Sequence, residues 1–343
     1  MNISQAKIKY IVFIIIVLAV GFFMLPKESF SRSDSADVIA VRVIPNPNNY
    51  SVSTWYKLQG FSGNPTRLEV DGYQALKDGN TVYVNGANIL GKCEASSATI
   101  CSGNSDCPGA DICKLDTSTK MYTNIYVLAQ NVEADQTTSQ IFDQMVKHFK
   151  LNDNKDLVSY VGSCTQSKPK DCTDTGKECV GKEYCKNKEC VVDCAYDSEC
   201  SVDSFCTSKK AEITRDTKRL GDLTDINIAL ERYRQANGHY PILSSGTYVP
   251  NMTLSTWPSW QQTFAKELGL DSLPIDPINK LGKCDDSYEG YNKEKPADPK
   301  TCWDDVNKVF ADNSPNDPKP ELTADSYAYV YVTDPEGLRF GIR

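Results

Sequence analysis

Fourteen cysteines are the residues of this 343-residue chain with the most chemistry to offer. A thiolate can attack, hold a soft metal or, in an oxidising compartment, give way to a disulfide. Spacing separates these fates. The cysteines fall in a block of four (Cys93, Cys101, Cys107, Cys113), a block of eight (Cys164, Cys172, Cys179, Cys185, Cys190, Cys194, Cys200, Cys206) and a pair (Cys284, Cys302). Every block is even, as bonding between sequence neighbours demands. Thiolate zinc sites are built from close pairs. No C-x-x-C occurs, and the nearest approach is the run Cys185, Cys190, Cys194. Histidine, the usual co-ligand, stands only at His148 and His239. Disulfides in an exported protein are the expectation, with their connectivity left open.

Catalysis has no comparable set. His148 lies in an amphipathic helical stretch and His239 in a Gly-His-Tyr-Pro turn, so neither is placed by sequence against a nucleophile. No Walker A loop, glycine-rich dinucleotide turn or HExxH is present. The pairs Asp285-Asp286 and Asp304-Asp305 sit in polar loops with nothing to desolvate them. No enzyme site is expected. A net charge of −8 argues against nucleic acid, which needs clustered Lys and Arg.

The elements that position these residues begin with an uncharged apolar run, 10–25, flanked by Lys7, Lys9 and Lys27. It reads as a retained single-pass membrane helix within 1–26, its N-terminus cytoplasmic and the bulk of the chain extracytoplasmic. A cleaved signal peptide is the alternative, and it also exports the chain. A polar, Ser-rich linker covers 27–37. Residues 38–160 read as a small α+β domain. Strands fall at 37–43, within 67–90 and at 121–129, with turn chemistry closing the first at Ile44-Pro45-Asn46. A short helix covers 51–58. A second helix covers 138–151 with Ser139 or Thr138 as N-cap, and a cysteine-rich insertion fills 93–113.

Residues 161–210 form cysteine-rich repeats. Cys101-x5-Cys107-x5-Cys113, Cys172-x6-Cys179-x5-Cys185-x4-Cys190 and Cys194-x5-Cys200-x5-Cys206 share one grammar, with Asp106, Glu178 and Glu199 each before the second cysteine. Apolar residues are too few here for a core, so covalent staples must replace it. From 212 to 236, Leu220, Leu223, Ile226, Leu230 and Tyr233 keep a helical rhythm that runs through Gly221, ended by Asn237-Gly238. A short helix at 261–268 and strands at 326–333 and 338–342 follow. Trp257, Trp260 and Tyr248 read as core rather than as a sugar platform, and 284–320 as an inserted loop stapled by one disulfide.

The order DINIALERYRQANGHYP, LPIDPINK, SYAYVYV resembles the head of type II secretion major pseudopilins and related type IV pilins over 211–343. Asn237-Gly238, Tyr240-Pro241 and Asp276-Pro277 are the firmest points. The resemblance implies a long helix packed on an antiparallel β-meander, and a calcium ion in a C-terminal loop. Asp304, Asp305, Asp312, Asp317 and Asp325 supply carboxylates there, with Asp312, Asp317 and Asp325 as the calcium candidates and no other cofactor. The prepilin-peptidase pattern is missing, since Pro26 stands where a Glu is required after Gly21. The cysteine spacing is similar to Dickkopf-type secreted repeats, which implies a rigid spacer or binding knob. The whole arrangement resembles envelope proteins of candidate-phylum bacteria. The expected function is structural or adhesive, with a protein or surface-polymer partner. A pilus or type II secretion subunit, or a hydrolase with its site in 38–160, are the alternatives.

Overall fold

Alternating apolar residues between turn dipeptides build a five-stranded antiparallel sheet. Its strands are β1 (Ile39–Asn46), β2 (Thr66–Val70), β3 (Tyr73–Asp78), β4 (Thr81–Ile89) and β5 (Met121–Gln130), in spatial order β1-β5-β4-β3-β2. The computed structural model describes residues 37–342 except 102, 115–120, 152–158, 166–170, 174–178, 180–181, 203, 283, 285–296 and 311–321. The apolar run 10–25 lies outside them. Among the described residues no helix is long and apolar enough to cross a membrane. Residues Ile39–Arg343 make one compact unit, distinct from Met1–Val38.

Asp71 and Gly72, both at positive φ, close the β2–β3 hairpin, and Gly79 at φ 54° opens the β3–β4 turn. The first cysteine block is inserted between β4 and β5, whose ends pair as Ile89 with Met121. β1 does not stop at Val43 but runs through Pro45 to Asn46. It is an edge strand, where the missing proline N–H costs no ladder bond.

Three helices accompany the sheet: α1 (Val52–Leu58), α2 (Gln136–His148) and α3 (Lys209–Asn237). Ser51 caps α1, its hydroxyl accepting from the Thr54 amide. The N-cap of α2 is Asp135, not Ser139 or Thr138, and the helix ends at His148 rather than Leu151. Its first turn carries no apolar residue, which hid the true start from a periodicity argument. α3 likewise begins three residues before the apolar rhythm implied, capped by Ser208, and Gly238 at φ 82° ends it. The segment expected to be a helix at 261–268 contains a π-helical turn, Trp260–Ala265, that turns Trp260 and Phe264 into the core. In the last sheet the two expected strands are shorter than read, and a third not expected from sequence joins them: β6 (Met252–Leu254), β7 (Val330–Thr333) and β8 (Phe340–Ile342), antiparallel in that order.

One face of the large sheet packs Val70, Tyr73 and Val84 on Phe142 and Val146 of α2 and Ile213 of α3. The other buries Leu76 and Ile125 under Val52, Trp55 and Tyr56 of α1. Further along α3, Ile226 and Leu230 enter a second core with Trp260, Phe264, Tyr329 and Tyr331. One helix therefore lends its N-terminal half to the first core and its C-terminal half to the second. Trp257 is 2% exposed and Trp260 wholly buried, as the core reading of these rings requires. The fold is α+β.

Candidate functional site

All fourteen cysteines pair: Cys93–Cys107, Cys101–Cys113, Cys164–Cys200, Cys172–Cys185, Cys179–Cys190, Cys194–Cys206 and Cys284–Cys302. Their Cα separations, 4.8 to 5.9 Å, are those of ordinary disulfides. Twelve of them follow one rule, first to third and second to fourth, in three knots. The first is 93/101/107/113, the second 172/179/185/190 and the third 164/194/200/206. The third encloses the second.

The first and third knots share several equivalent hydrogen bonds. The Cys113 amide donates to Asn104 Oδ1 and the Cys206 amide to Asp197 Oδ1, both at the start of a short 3-10 turn. Cys93 donates to the Thr99 carbonyl, and Cys164 to that of Val192. The repeat read from sequence is therefore real but misregistered in its middle copy. Asp106 and Glu199 precede the third cysteine of their knots, whereas Glu178 precedes the second of its own. Three sulfurs in each knot lie within 4.8 Å of one another, a spacing that would suit a metal if they were thiolates. Bonded in pairs, they offer none.

A buried ionic node sits where the third knot, the β2–β3 turn and α3 meet. Asp71, with no exposed side-chain surface, takes four donors. Oδ2 accepts from Lys210 Nζ at 2.8 Å and the Leu151 amide at 3.0 Å, and Oδ1 from Lys150 Nζ at 3.0 Å and Tyr196 Oη at 2.7 Å. Lys210 is fully enclosed, its ammonium 4.0 Å from the Tyr73 ring centre. Nearby, Arg215 of α3 donates to Asp197 at 2.6 Å and to the Cys206 carbonyl at 3.0 Å. These groups fasten four separate segments, and the four bonds that Asp71 accepts fit a structural lock, while the buried Arg215 Nε has no hydrogen-bond partner among the described residues. Sequence reasoning missed the node, because Asp71-Gly72 reads as a turn and Lys210 falls at the end of the cysteine-rich repeats, ahead of the helix read from 212.

A groove of about 820 Å³ lies between α1, the β2–β3 hairpin and α3, within the size range of binding sites. Val52 and Lys57 line it from α1, Arg67 and Glu69 from β2, and Asp222 and Asp225 from α3. The 270–275 segment closes one end with Leu273 and Ile275. Burial raises the Asp222 carboxyl above the usual carboxylate range, although Lys218 and the Tyr329 hydroxyl, at 2.8 Å, pull it back. Desolvation raises Glu69 as well. Asp225 takes the Ser51 hydroxyl at 2.6 Å on Oδ2, while its buried Oδ1 has no hydrogen-bond partner among the described residues. Beneath the groove, Arg219 grips Asp276 through Nε at 2.7 Å and Nη2 at 3.2 Å. The Asp276 carboxyl is raised by burial, but that grip and the Ile278 and Asn279 amides bring it below its ordinary value.

Of the three calcium candidates, Asp325 alone lies among the described residues. Asp312 and Asp317 lie outside the described residues, and Asp325 is exposed. Asp304 spends its oxygens within its own turn, on the Val306 and Asn307 amides and the Asn307 side chain. Asp305 pairs with Lys308. His239 bonds the Tyr240 carbonyl at 2.8 Å.

Fold and site together define a class, a disulfide-knotted α+β protein with a groove beside α3. No family model, curated protein or solved structure matches the chain.

Proposed function

We propose that this chain is a membrane-anchored, extracytoplasmic binding protein of structural or adhesive role, with a pseudopilin-like head. The complete pairing of its cysteines carries the reading. Three knots that repeat one connectivity need an oxidising compartment to form and to persist. They also suit a surface exposed to proteases, since a closed loop gives an attacker little backbone to extend. α3, ended by a left-handed glycine and laid on a three-stranded antiparallel sheet, supports the likeness of the head to pseudopilins. The apolar run 10–25 supplies the anchor, and the groove beside α3 supplies the contact surface.

Peptide mapping without reduction, on protein taken from the membrane fraction, tests this. The expected result is an intact N-terminus and the three first-to-third, second-to-fourth knots, with the chain about 14 Da lighter than its fully reduced form, two hydrogens for each bridge. Free thiols or bound zinc would overturn the reading. A cleaved leader and recovery in sheared fibres would point instead to a pilus or secretion-system subunit.

A further inference from the structure

We propose that the groove receives an extended segment of a protein partner, which joins the large sheet as a sixth strand beside β2 and carries an acidic residue toward the groove's cations. The inference rests on the binding role proposed above and names the partner's chemistry.

Strand register places the open edge. Val70 and Tyr73 flank a two-residue turn and so exchange ladder bonds. By alternation, Leu68 with Ala75 and Thr66 with Lys77 do the same. Arg67 and Glu69, paired with Leu76 and Gln74, therefore turn their amide and carbonyl groups away from β3. No other described segment takes up those four groups. Both residues also line the groove, so a strand bonded to them has its side chains beside the cavity. Strand addition of this kind draws affinity from main-chain bonds and specificity from neighbouring pockets.

Charge selects the side chain. In a chain of net charge −8, Lys57, Arg67 and Arg232 stand around the groove without an ion pair among the described residues. Of the groove's acids, Asp222 is matched by Lys218, while Glu69 and Asp225 form no ion pair among the described residues, the Ser51 hydroxyl on Asp225 being neutral, so three unpaired cations stand against two unpaired acids. The unanswered charge is net positive. Leu68, Ile226 and Leu273 add apolar contact. Among the described residues no aromatic ring lines the cavity, which disfavours a polysaccharide. Charged residues on an edge strand also guard against aggregation. That role alone gives no reason for a cavity to adjoin the same two residues.

A random heptapeptide library displayed on phage, selected on the full chain in detergent after its seven disulfides have been mapped, tests the proposal. Enriched sequences should alternate apolar residues and carry Asp or Glu. Glu69→Pro removes an outward amide that no ladder bond uses, and should abolish binding of the enriched peptides while Glu69→Gln retains it. Arg67→Gln with Arg232→Gln should weaken binding at least about tenfold and supplies a second reading should the proline variant misfold. An unenriched library, a basic consensus, or clones indifferent to Glu69→Pro in a folded variant would overturn it. So would displacement of those clones by oligogalacturonate as readily as by free peptide. Because the disulfide map is in hand beforehand, an empty selection counts against the groove and leaves the export reading standing.

Discussion

Replacing Asp71 by Asn isolates one charge. Asn accepts the left-handed backbone at φ 53° nearly as well as Asp does, so the turn itself is little disturbed. What remains is Lys210, wholly enclosed, with its counter-charge gone. Breaking a buried pair from one side costs about 3–5 kcal/mol. The amide oxygen can still accept from two of the four donors now converging on Asp71. Orphaning the other two adds about 1 kcal/mol each where they are buried, and less for the half-exposed Lys150. The Tyr73 ring beneath the ammonium persists in both forms and offsets none of the difference. Asp71→Asn should therefore cost about 4–6 kcal/mol, much of the roughly 5–15 kcal/mol that holds a domain folded. Lys210→Met leaves the carboxylate with Lys150, Tyr196 and the Leu151 amide, and should cost about 1–3 kcal/mol. In the double variant both buried charges are gone, so its cost should fall short of the sum of the two single costs by about 2 kcal/mol. Guanidinium titration of the oxidised protein, followed by tryptophan fluorescence, measures all three. An Asp71→Asn cost under about 1 kcal/mol, or additivity within about 0.5 kcal/mol, would refute the claim that this node locks the fold.

Gly221→Ala should destabilise by about 1 kcal/mol in thermal melts despite the better helix propensity of Ala, because its Cβ would press on Ser51 at 3.1–3.3 Å. Removing Cys164–Cys200 should cost slightly more than removing Cys101–Cys113, about 3.4 against 2.8 kcal/mol by loop entropy. The nested knot shortens the nominal 36-residue loop, so the gap in denaturant midpoint should be small. Asp276 is held below its ordinary value, so it stabilises the fold above the usual carboxylate range and loses that contribution as pH falls through its folded value. Asp276→Asn should thus show a deficit of about 2–3 kcal/mol at pH 7 that closes in acid. Asp222 is shifted upward, so its contribution is greatest in acid and declines as pH rises toward its folded value. Asp222→Asn should flatten that decline in melting temperatures taken from pH 3 to 7.

How far the sequence foretold this molecule follows from what each signal measures. The hairpins at Asp71-Gly72 and Gly79-Asn80 were legible because positive φ has few tenants. The end of α3 was legible for the same reason at Gly238. The start of α2 was not, because an N-cap works through one hydrogen bond from Asp135 and leaves no apolar trace. Cysteine parity announced local pairing, yet parity is blind to order, and aligning the acidic residues put the middle copy out of register by one cysteine. The ionic node was illegible in principle. Asp71 and Lys210 are 139 positions apart, and only the packed hairpin and helix bring them within 2.8 Å. The groove, too, is a product of packing, assembled from α1 and the β2–β3 hairpin, which sequence reading placed in one domain, and α3, which it placed in another.

The nesting of one knot inside another has a simple physical reason. In the first knot seven residues separate the first cysteine from the second, and in the third twenty-nine do. The extra length costs least when its two ends are already held together where they leave the knot, since an open loop of that size carries a larger closure entropy. The second knot meets this need. Asp171 bridges to Glu189, and the Cys172 amide donates to the Lys188 carbonyl, so its incoming and outgoing strands already touch. The third knot is closed with equal economy at its base, where Gly162 passes the Ser208 backbone so closely that a Cβ would lie 2.1 Å from the Ser208 nitrogen. Ser208 then caps α3, and two residues on Lys210 reaches Asp71. Cross-links that mark out a cysteine-rich segment thus fix the point at which α3 starts. Through that helix they set the wall of the groove.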